Sequence, residues 1–113
     1  QLRGKFAASS IRVPTPDVSI VCLTANVGRG TTVEELNGLF RTAADGPLRG
    51  ILGVETRPLV SADYLGDTRS AIVDTNLTDV VDGDLVEVHA WYDNEWGYSA
   101  RMVDLVRILA KGG

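Results

Sequence analysis

Apolar and polar residues alternate in short runs along most of the chain, which is the pattern of half-buried β-strands. The runs predict strands over residues 5–13, 18–27, 51–55, 59–62, 70–74, 78–81 and 85–92. Pro14 and Pro16 separate the first two strands, because two prolines in three residues cannot belong to a central strand. The short connection predicts that those two strands are antiparallel neighbours.

Two other stretches place apolar residues at spacings of three and four, which predicts amphipathic helices. The first begins after Thr32, carries two glutamates near the positive end of its dipole, and ends near Ala44. The second covers residues 97–110. Asp82-Gly83 predicts a tight turn between the last two strands. The order of elements predicts an α+β fold, a largely antiparallel or mixed sheet covered by helices.

Composition narrows the class of protein. The 113 residues are 44% hydrophobic and 23% charged, as in an ordinary globular domain. A net charge of −4 without a Lys/Arg cluster argues against nucleic acid or a membrane surface as partner. No apolar run approaches the roughly 20 residues that cross a bilayer. The single cysteine excludes an intrachain disulfide framework and fits a reducing compartment, so we expect a cytoplasmic protein.

The densest aromatic run is Trp-Tyr-Asp-Asn-Glu-Trp-Gly-Tyr-Ser at residues 91–99. It joins the last predicted strand to the last helix, with Asp93 or Asn94 placed to cap the first turn. A helix N-terminus presents unpaired N–H groups, so such junctions often line ligand sites. The same pattern also fits a capped helix whose aromatic side chains only pack the core.

Other residue types that could carry chemistry are few. Cys22 lies in an apolar strand without a cationic neighbour, which predicts a buried, inert thiol. His89 lies inside a strand, where a structural histidine is expected. One histidine and one cysteine far apart predict no metal site, and no glycine-rich phosphate cradle is present. Arg12 precedes a proline-stiffened turn and suits phosphate or carboxylate binding, although the residues alone favour a surface or salt-bridged arginine.

Three motifs stand in order along nearly the whole chain. They are Ile-Arg-Val-Pro-Thr-Pro-Asp-Val-Ser at residues 11–19, Asp-Gly-Pro-Leu-Arg-Gly-Ile at 45–51, and the aromatic run 91–99 followed by Arg-Met-Val-Asp-Leu at 101–105. Together they resemble phosphorylating glyceraldehyde-3-phosphate dehydrogenase. The resemblance implies that residues 1–113 are the C-terminal portion of that family's catalytic domain, ending in a helix that docks on a Rossmann domain outside this chain.

The reaction that this resemblance implies is an aldehyde oxidation through a cysteine thioester. A thiolate attacks glyceraldehyde 3-phosphate, a histidine acts as base, hydride passes to NAD or NADP, and inorganic phosphate releases 1,3-bisphosphoglycerate. In the family the nucleophilic cysteine, its histidine and the dinucleotide-binding domain precede the 11–19 motif. We therefore expect no catalytic residue in this chain, and expect Gln1 to follow further sequence of a larger protein.

Three residues take roles by their place in the family's motifs. Arg12 matches the arginine that binds the phosphate of the sugar-phosphate substrate. Asn94 matches the asparagine whose amide pairs with the nicotinamide carboxamide, and Tyr98 would lie near the nicotinamide ring or only pack beside it. The cofactor would be bound mainly by the absent domain, whose ribose-contacting residues decide between NAD and NADP.

Two alternatives accompany this interpretation. Erythrose-4-phosphate dehydrogenase shares the fold and thiol chemistry, but that branch usually carries Cys and Phe where this chain has Tyr92 and Tyr98. The second alternative is a non-catalytic assembly or interaction module derived from the same domain. The resemblance further implies a homotetramer that buries strand residues between 11 and 27 and between 70 and 92, with the remainder of the enzyme as a further partner.

Overall fold

A computed structural model of the chain describes residues 2–112, and within them the predicted α+β fold is confirmed. The strands are β1 (Ser19–Asn26), β2 (Leu52–Glu55), β3 (Ala71–Asp74), β4 (Asp79–Val81) and β5 (Leu85–Tyr92). The helices are α1 (Val33–Asp45) and α2 (Trp96–Ala110). Each lies within a residue or two of a stretch that periodicity predicts, and Thr32 caps α1 by accepting a hydrogen bond from the Glu35 N–H.

The five strands form one mixed sheet centred on β5, in the order β1-β5-β3-β2. β1 runs antiparallel to the whole of β5, from Ser19 opposite Tyr92 to Asn26 opposite Leu85. β3 and β4 pair in succession with the other side of β5, both antiparallel, while β2 pairs with β3 in parallel. The predicted Asp82-Gly83 turn joins β4 to β5, and both residues have positive φ, as a tight hairpin turn requires.

Two of the predicted strands are wrong. Residues 5–13 do not form a strand, and they do not lie beside β1, whose partner is β5. Their alternation has no partner among the described residues, and a strand needs one to satisfy its backbone. Residues 59–62 enter a 3₁₀ turn at Ser61–Tyr64 instead, because the Asp63 carboxylate accepts a hydrogen bond from the Val60 N–H and closes the chain locally.

The core lies on both faces of the sheet, because consecutive residues of β3 point to opposite sides. One face buries Val18, Tyr64 and Ile72, with Leu59 and Trp91 packed against them. The other buries Val73, Val88 and Ala90 beneath Phe40 of α1, with Leu52 and Ala71. The Tyr64 and Trp91 rings stack with centroids 5.5 Å apart, and the Trp91 indole N–H donates to Asp74. Trp91 thereby anchors the C-terminal end of β5.

Large apolar surfaces remain exposed on the edge strand β1 and on α2. Cys22 is one of the exposed residues, so the prediction of a buried thiol is wrong. Its apolar neighbours suggested a central strand, whereas β1 has a partner on one side only and little packed on its faces. Most apolar side chains of α2 are also exposed: Met102, Val103, Leu105, Val106, Ile108 and Leu109. No described helix is long and apolar enough to cross a membrane.

Candidate functional site

The junction between β5 and α2 is built around the carboxylate of Asp93, which is only 1% exposed. Its Oδ1 accepts hydrogen bonds from the backbone N–H groups of Glu95 (2.9 Å) and Trp96 (2.8 Å). Its Oδ2 accepts one from the Gly66 N–H at 2.8 Å. Of the two residues that the sequence offered as a cap, Asp93 therefore performs this role. It also ties the helix start to a distant part of the chain.

These contacts keep Asp93 ionised. Burial alone would raise the pKa of the carboxyl, but hydrogen bonds from the N–H groups of Trp96, Gly66 and Glu95 outweigh burial and lower the pKa below its ordinary value. The Asp17 side chain contributes to the lowering as well. Because Ser19 lies opposite Tyr92, the end of the proline turn is brought beside the junction. The 11–19 and 91–99 motifs thus meet where the start of β1 pairs with the end of β5.

A second set of contacts holds residues 66–70, here called the 66–70 loop, against the first turns of α2. A Cβ added at Gly97 would lie 2.8 Å from the backbone oxygen of Arg69, so only glycine allows this close approach. Arg101 donates to the Ser70 hydroxyl at 3.1 Å and pairs with Asp104 at 2.7 Å. The loop and the helix start therefore form one hydrogen-bonded unit.

A cavity of about 360 Å³ opens at this unit. It is lined by Ser70, Tyr92, Asp93, Asn94, Gly97, Tyr98 and Arg101. Asn94 and Tyr98 are both exposed, and the Asn94 side chain makes no hydrogen bond to another residue among 2–112. A free carboxamide beside an aromatic ring and a guanidinium can bind a flat ligand that both donates and accepts hydrogen bonds.

Arg12 occupies a different environment. It lies in an exposed extended segment between Ile11 and Val13, which are 85% and 57% exposed. Its guanidinium forms neither a hydrogen bond nor an ion pair with another described residue, and it does not line the cavity. The turn that follows packs into the core at Val18, whose side chain is buried and whose φ of 69° is a strained conformation for a β-branched residue.

His89 has the contacts of a structural histidine. Its Nδ1 lies 3.0 Å from the Leu77 carbonyl oxygen and its Nε2 lies 3.6 Å from a Glu87 carboxylate oxygen. Within residues 2–112 no three His, Cys, Asp or Glu side chains converge as metal ligands would. Sequence patterns missed Ser70, Gly66 and Arg101 as parts of the site. Apart from the place of Arg101 in the last motif, no local signal marks them, because their partners lie about 30 residues away in the chain.

Comparison with known proteins agrees with the motifs. The family model described as "Glyceraldehyde 3-phosphate dehydrogenase, C-terminal domain" matches residues 1–94. The chain belongs to this family. Its identity to glyceraldehyde-3-phosphate dehydrogenase A (chloroplastic) of Chlamydomonas reinhardtii is 51%, covering 97% of the chain and 29% of the relative.

Bacterial relatives are nearly as similar, and their alignments include α2. The chain is 50% identical to glyceraldehyde-3-phosphate dehydrogenase 2 of Nostoc, covering 98% of the chain and 33% of the relative. It is 49% identical to glyceraldehyde-3-phosphate dehydrogenase of Geobacillus stearothermophilus, covering all of the chain and 34% of the relative. The chain thus spans about a third or less of the length of these curated relatives.

Proposed function

We propose that this chain serves as the C-terminal part of the catalytic domain in an NAD(P)-dependent phosphorylating glyceraldehyde-3-phosphate dehydrogenase. The observation that carries the proposal is the Asn94 carboxamide: it is exposed and unpaired within residues 2–112, at a cavity fixed by the Asp93 hydrogen bonds. Membership of the family supports the proposed reaction, the conversion of glyceraldehyde 3-phosphate and inorganic phosphate to 1,3-bisphosphoglycerate. The nucleophilic cysteine, its histidine and the dinucleotide-binding domain would come from sequence outside these residues.

On this proposal Asn94 and Tyr98 receive the nicotinamide end of the cofactor. A side-chain amide both donates and accepts, so Asn94 can satisfy the carboxamide of a nicotinamide and fix which face of its ring meets the substrate. The exposed Tyr98 ring offers an apolar surface beside it. The bound cofactor supplies hydride acceptance. Asn94 and Tyr98 would contribute only the orientation of the ring.

Arg12 would bind the phosphate of the sugar-phosphate substrate. Its guanidinium has no competing partner among the described residues, so its N–H donors are free for an anion. A charge-assisted hydrogen bond contributes about 1.5–3 kcal/mol. The pairing of Ser19 with Tyr92 brings the end of the segment that carries Arg12 towards the Asn94 junction, which supports a shared site.

Assembly is part of the proposal. The exposed apolar side chains of α2 would pack on the dinucleotide-binding domain, and those of β1 would contribute to subunit contacts in a homotetramer. We propose the cytoplasm as the compartment. Neither nucleic acid nor a membrane is proposed as a partner, because the net charge is −4 and the cations are dispersed.

The test for Asn94 uses a complete subunit, made by putting this chain in place of the matching third of the Geobacillus relative. Asn94→Ala should lower kcat at least about tenfold, because a misoriented ring reacts more slowly. It should leave the melting temperature nearly unchanged, since the side chain is exposed. Asn76→Ala, at another exposed asparagine that does not line the cavity, is the control for kcat. It is not a control for the melting temperature, because the Asn76 amide donates to the Asp74 carboxylate at 3.0 Å. Normal turnover in Asn94→Ala would contradict the proposed cofactor role.

The test for Arg12 uses the same subunit. Arg12→Ala should raise KM for glyceraldehyde 3-phosphate about tenfold or more, since at least one charge-assisted bond is lost. Arg3→Ala, at another exposed arginine of the N-terminal segment, should leave KM unchanged. Comparing kcat/KM for glyceraldehyde 3-phosphate and erythrose 4-phosphate separates the two dehydrogenase branches. An unchanged KM in Arg12→Ala would remove the phosphate assignment.

A further inference from the structure

We infer that Asp93 is a positioning residue for Asn94: by joining Gly66 to the first turn of α2, its carboxylate sets the direction in which the Asn94 amide points. The inference rests on the proposed function, because the orientation of that amide matters only if it binds the cofactor. The structure gives Asp93 three backbone donors, one from the 66–70 loop and two from the helix start.

The hydrogen bonds of Asp93 span the backbone of Asn94, joining the residue before it to the residues after it. Oδ1 accepts from the N–H groups of the two residues that follow Asn94, and the Asp93 carbonyl accepts from the Gly97 N–H at 3.1 Å. The Asn94 side chain has no hydrogen bond of its own among residues 2–112. The point from which the Asn94 side chain extends is therefore set by its backbone, and this backbone is held by Asp93.

The bond to Gly66 exceeds what a helix cap needs. A cap requires only the acceptance of N–H groups in the first turn, which Oδ1 already provides. Oδ2 instead reaches 27 residues back along the chain, to the loop that packs on Gly97 and Arg101. The two oxygens of the Asp93 carboxylate can thus be assigned different roles. Oδ1 stabilises the start of α2, and Oδ2 places Asn94 at the cavity by fixing the helix start to Gly66.

Asp74 provides a matched control for burial and charge. It is 4% exposed, accepts from the Asn76 N–H at 3.1 Å and from the Trp91 indole N–H at 3.1 Å, and does not line the cavity. Replacing either aspartate by asparagine removes one charge and one acceptor from a buried site. Loss of stability is therefore common to both changes, while loss of ring orientation is expected only for Asp93→Asn.

The experiment measures which of the two C4 hydrogens of the reduced cofactor is transferred, using stereospecifically deuterated cofactor and the complete subunit described above. Asp93→Asn should lower kcat at least about tenfold and make transfer from the wrong ring face detectable, because the amide no longer selects one face. Asp74→Asn should leave kcat within about twofold and stereospecificity complete. Equal behaviour of the two variants would overturn the inference.

A double variant separates this inference from the proposed function. If Asp93 acts through Asn94, Asp93→Asn should cost little further kcat in the Asn94→Ala background, so that the two effects are strongly non-additive. Additive effects would overturn the positioning role while leaving the cofactor role of Asn94 standing. If Asn94→Ala alone has no effect on kcat, the proposed function fails first.

Asp93→Ser keeps the test decisive if Asp93→Asn does not fold. Serine is a good cap residue, so the bonds to the helix start can be retained while the reach to Gly66 is lost. We expect a folded subunit with a measurable share of transfer from the wrong ring face. A folded Asp93→Ser subunit with complete stereospecificity and normal kcat would overturn the inference.

Discussion

The junction that carries Asn94 and the segment that carries Arg12 belong to one proposed site but are held very differently. The junction is fixed by a buried carboxylate with three backbone donors and by the close contact between Gly97 and the 66–70 loop. The Arg12 segment is exposed and has no strand beside it among residues 2–112. The chain therefore holds the backbone of Asn94 in place by itself, whereas no described residue bonds to the guanidinium of Arg12.

The strongest test of this contrast adds one methyl group at Gly97. Gly97→Ala should destabilise the fold by about 2 kcal/mol, because the Cβ would meet the backbone oxygen of Arg69, which cannot move without displacing the 66–70 loop. Gly38→Ala in α1 is the matched control: its Cβ has open space, so it should stabilise by about 0.5–1 kcal/mol. Denaturant unfolding measures both, and a Gly97→Ala variant as stable as the unsubstituted chain would show that the junction is not tightly packed.

Acid stability offers a second, smaller test. The pKa of Asp93 is lower in the folded chain than in the unfolded chain, so its carboxylate stabilises the fold above about pH 4 and this stabilisation is lost as pH falls through the folded pKa. Asp93→Asn should lower the free energy of unfolding by about 1.5 kcal/mol at pH 7 and by less near pH 3.

Part of the acid dependence should survive in that variant. Hydrogen bonds donated by Arg57 lower the pKa of Glu55 to about 2, and those donated by Arg69 lower the pKa of Asp67. Both carboxylates favour folding above their unfolded pKa values. Glu55 does so independently of Asp93, whereas the nearby Asp93 charge raises the pKa of Asp67 and so opposes part of its lowering. Urea unfolding of both proteins from pH 7 to pH 3 measures the difference. A constant gap across this range would show that the Asp93 charge contributes nothing to stability.

The smallest effect is expected at Arg12. Arg12→Ala should change the free energy of unfolding by less than about 0.5 kcal/mol, because the side chain contacts no charged or hydrogen-bonding group among the described residues. The large change in KM proposed above would then accompany an unchanged fold. A loss of more than about 1 kcal/mol would instead indicate that the segment packs on the domain and would remove the contrast with the junction.

Elements with their own periodicity could be predicted from sequence, because periodicity reports local burial. β5 alternates so that Val86, Val88 and Ala90 are buried, and α1 has its apolar stripe behind a threonine cap. Residues 5–13 alternate equally well but form no strand, since pairing depends on what lies beside a segment. The prediction of a buried Cys22 was wrong for the same reason: its neighbours in sequence are apolar, but its strand is at the sheet edge.

The part of the site formed by consecutive residues could be predicted from sequence. The contacts between residues far apart in the chain could not. The strand-to-helix junction and its two candidate caps follow from residues 91–99 alone. The bond from Gly66 to Asp93 and that from Arg101 to Ser70 depend on the strand order, which periodicity does not encode. Motifs identified Arg12 and Asn94 as a pair, but only the register of β1 with β5 explains why their segments meet.

The attachment of α2 by its first turns alone has a mechanical consequence. The helix has 15 residues and is therefore about 22 Å long, so a rotation of about 5° at its base would move its far end by about 2 Å. Asn94, at the pivot, would hardly shift. A protein domain that packs on the last turns of α2 would thus be displaced by about 2 Å when the helix rotates slightly at the cavity. Docking of such a domain would in turn restrict the angle between α2 and the sheet.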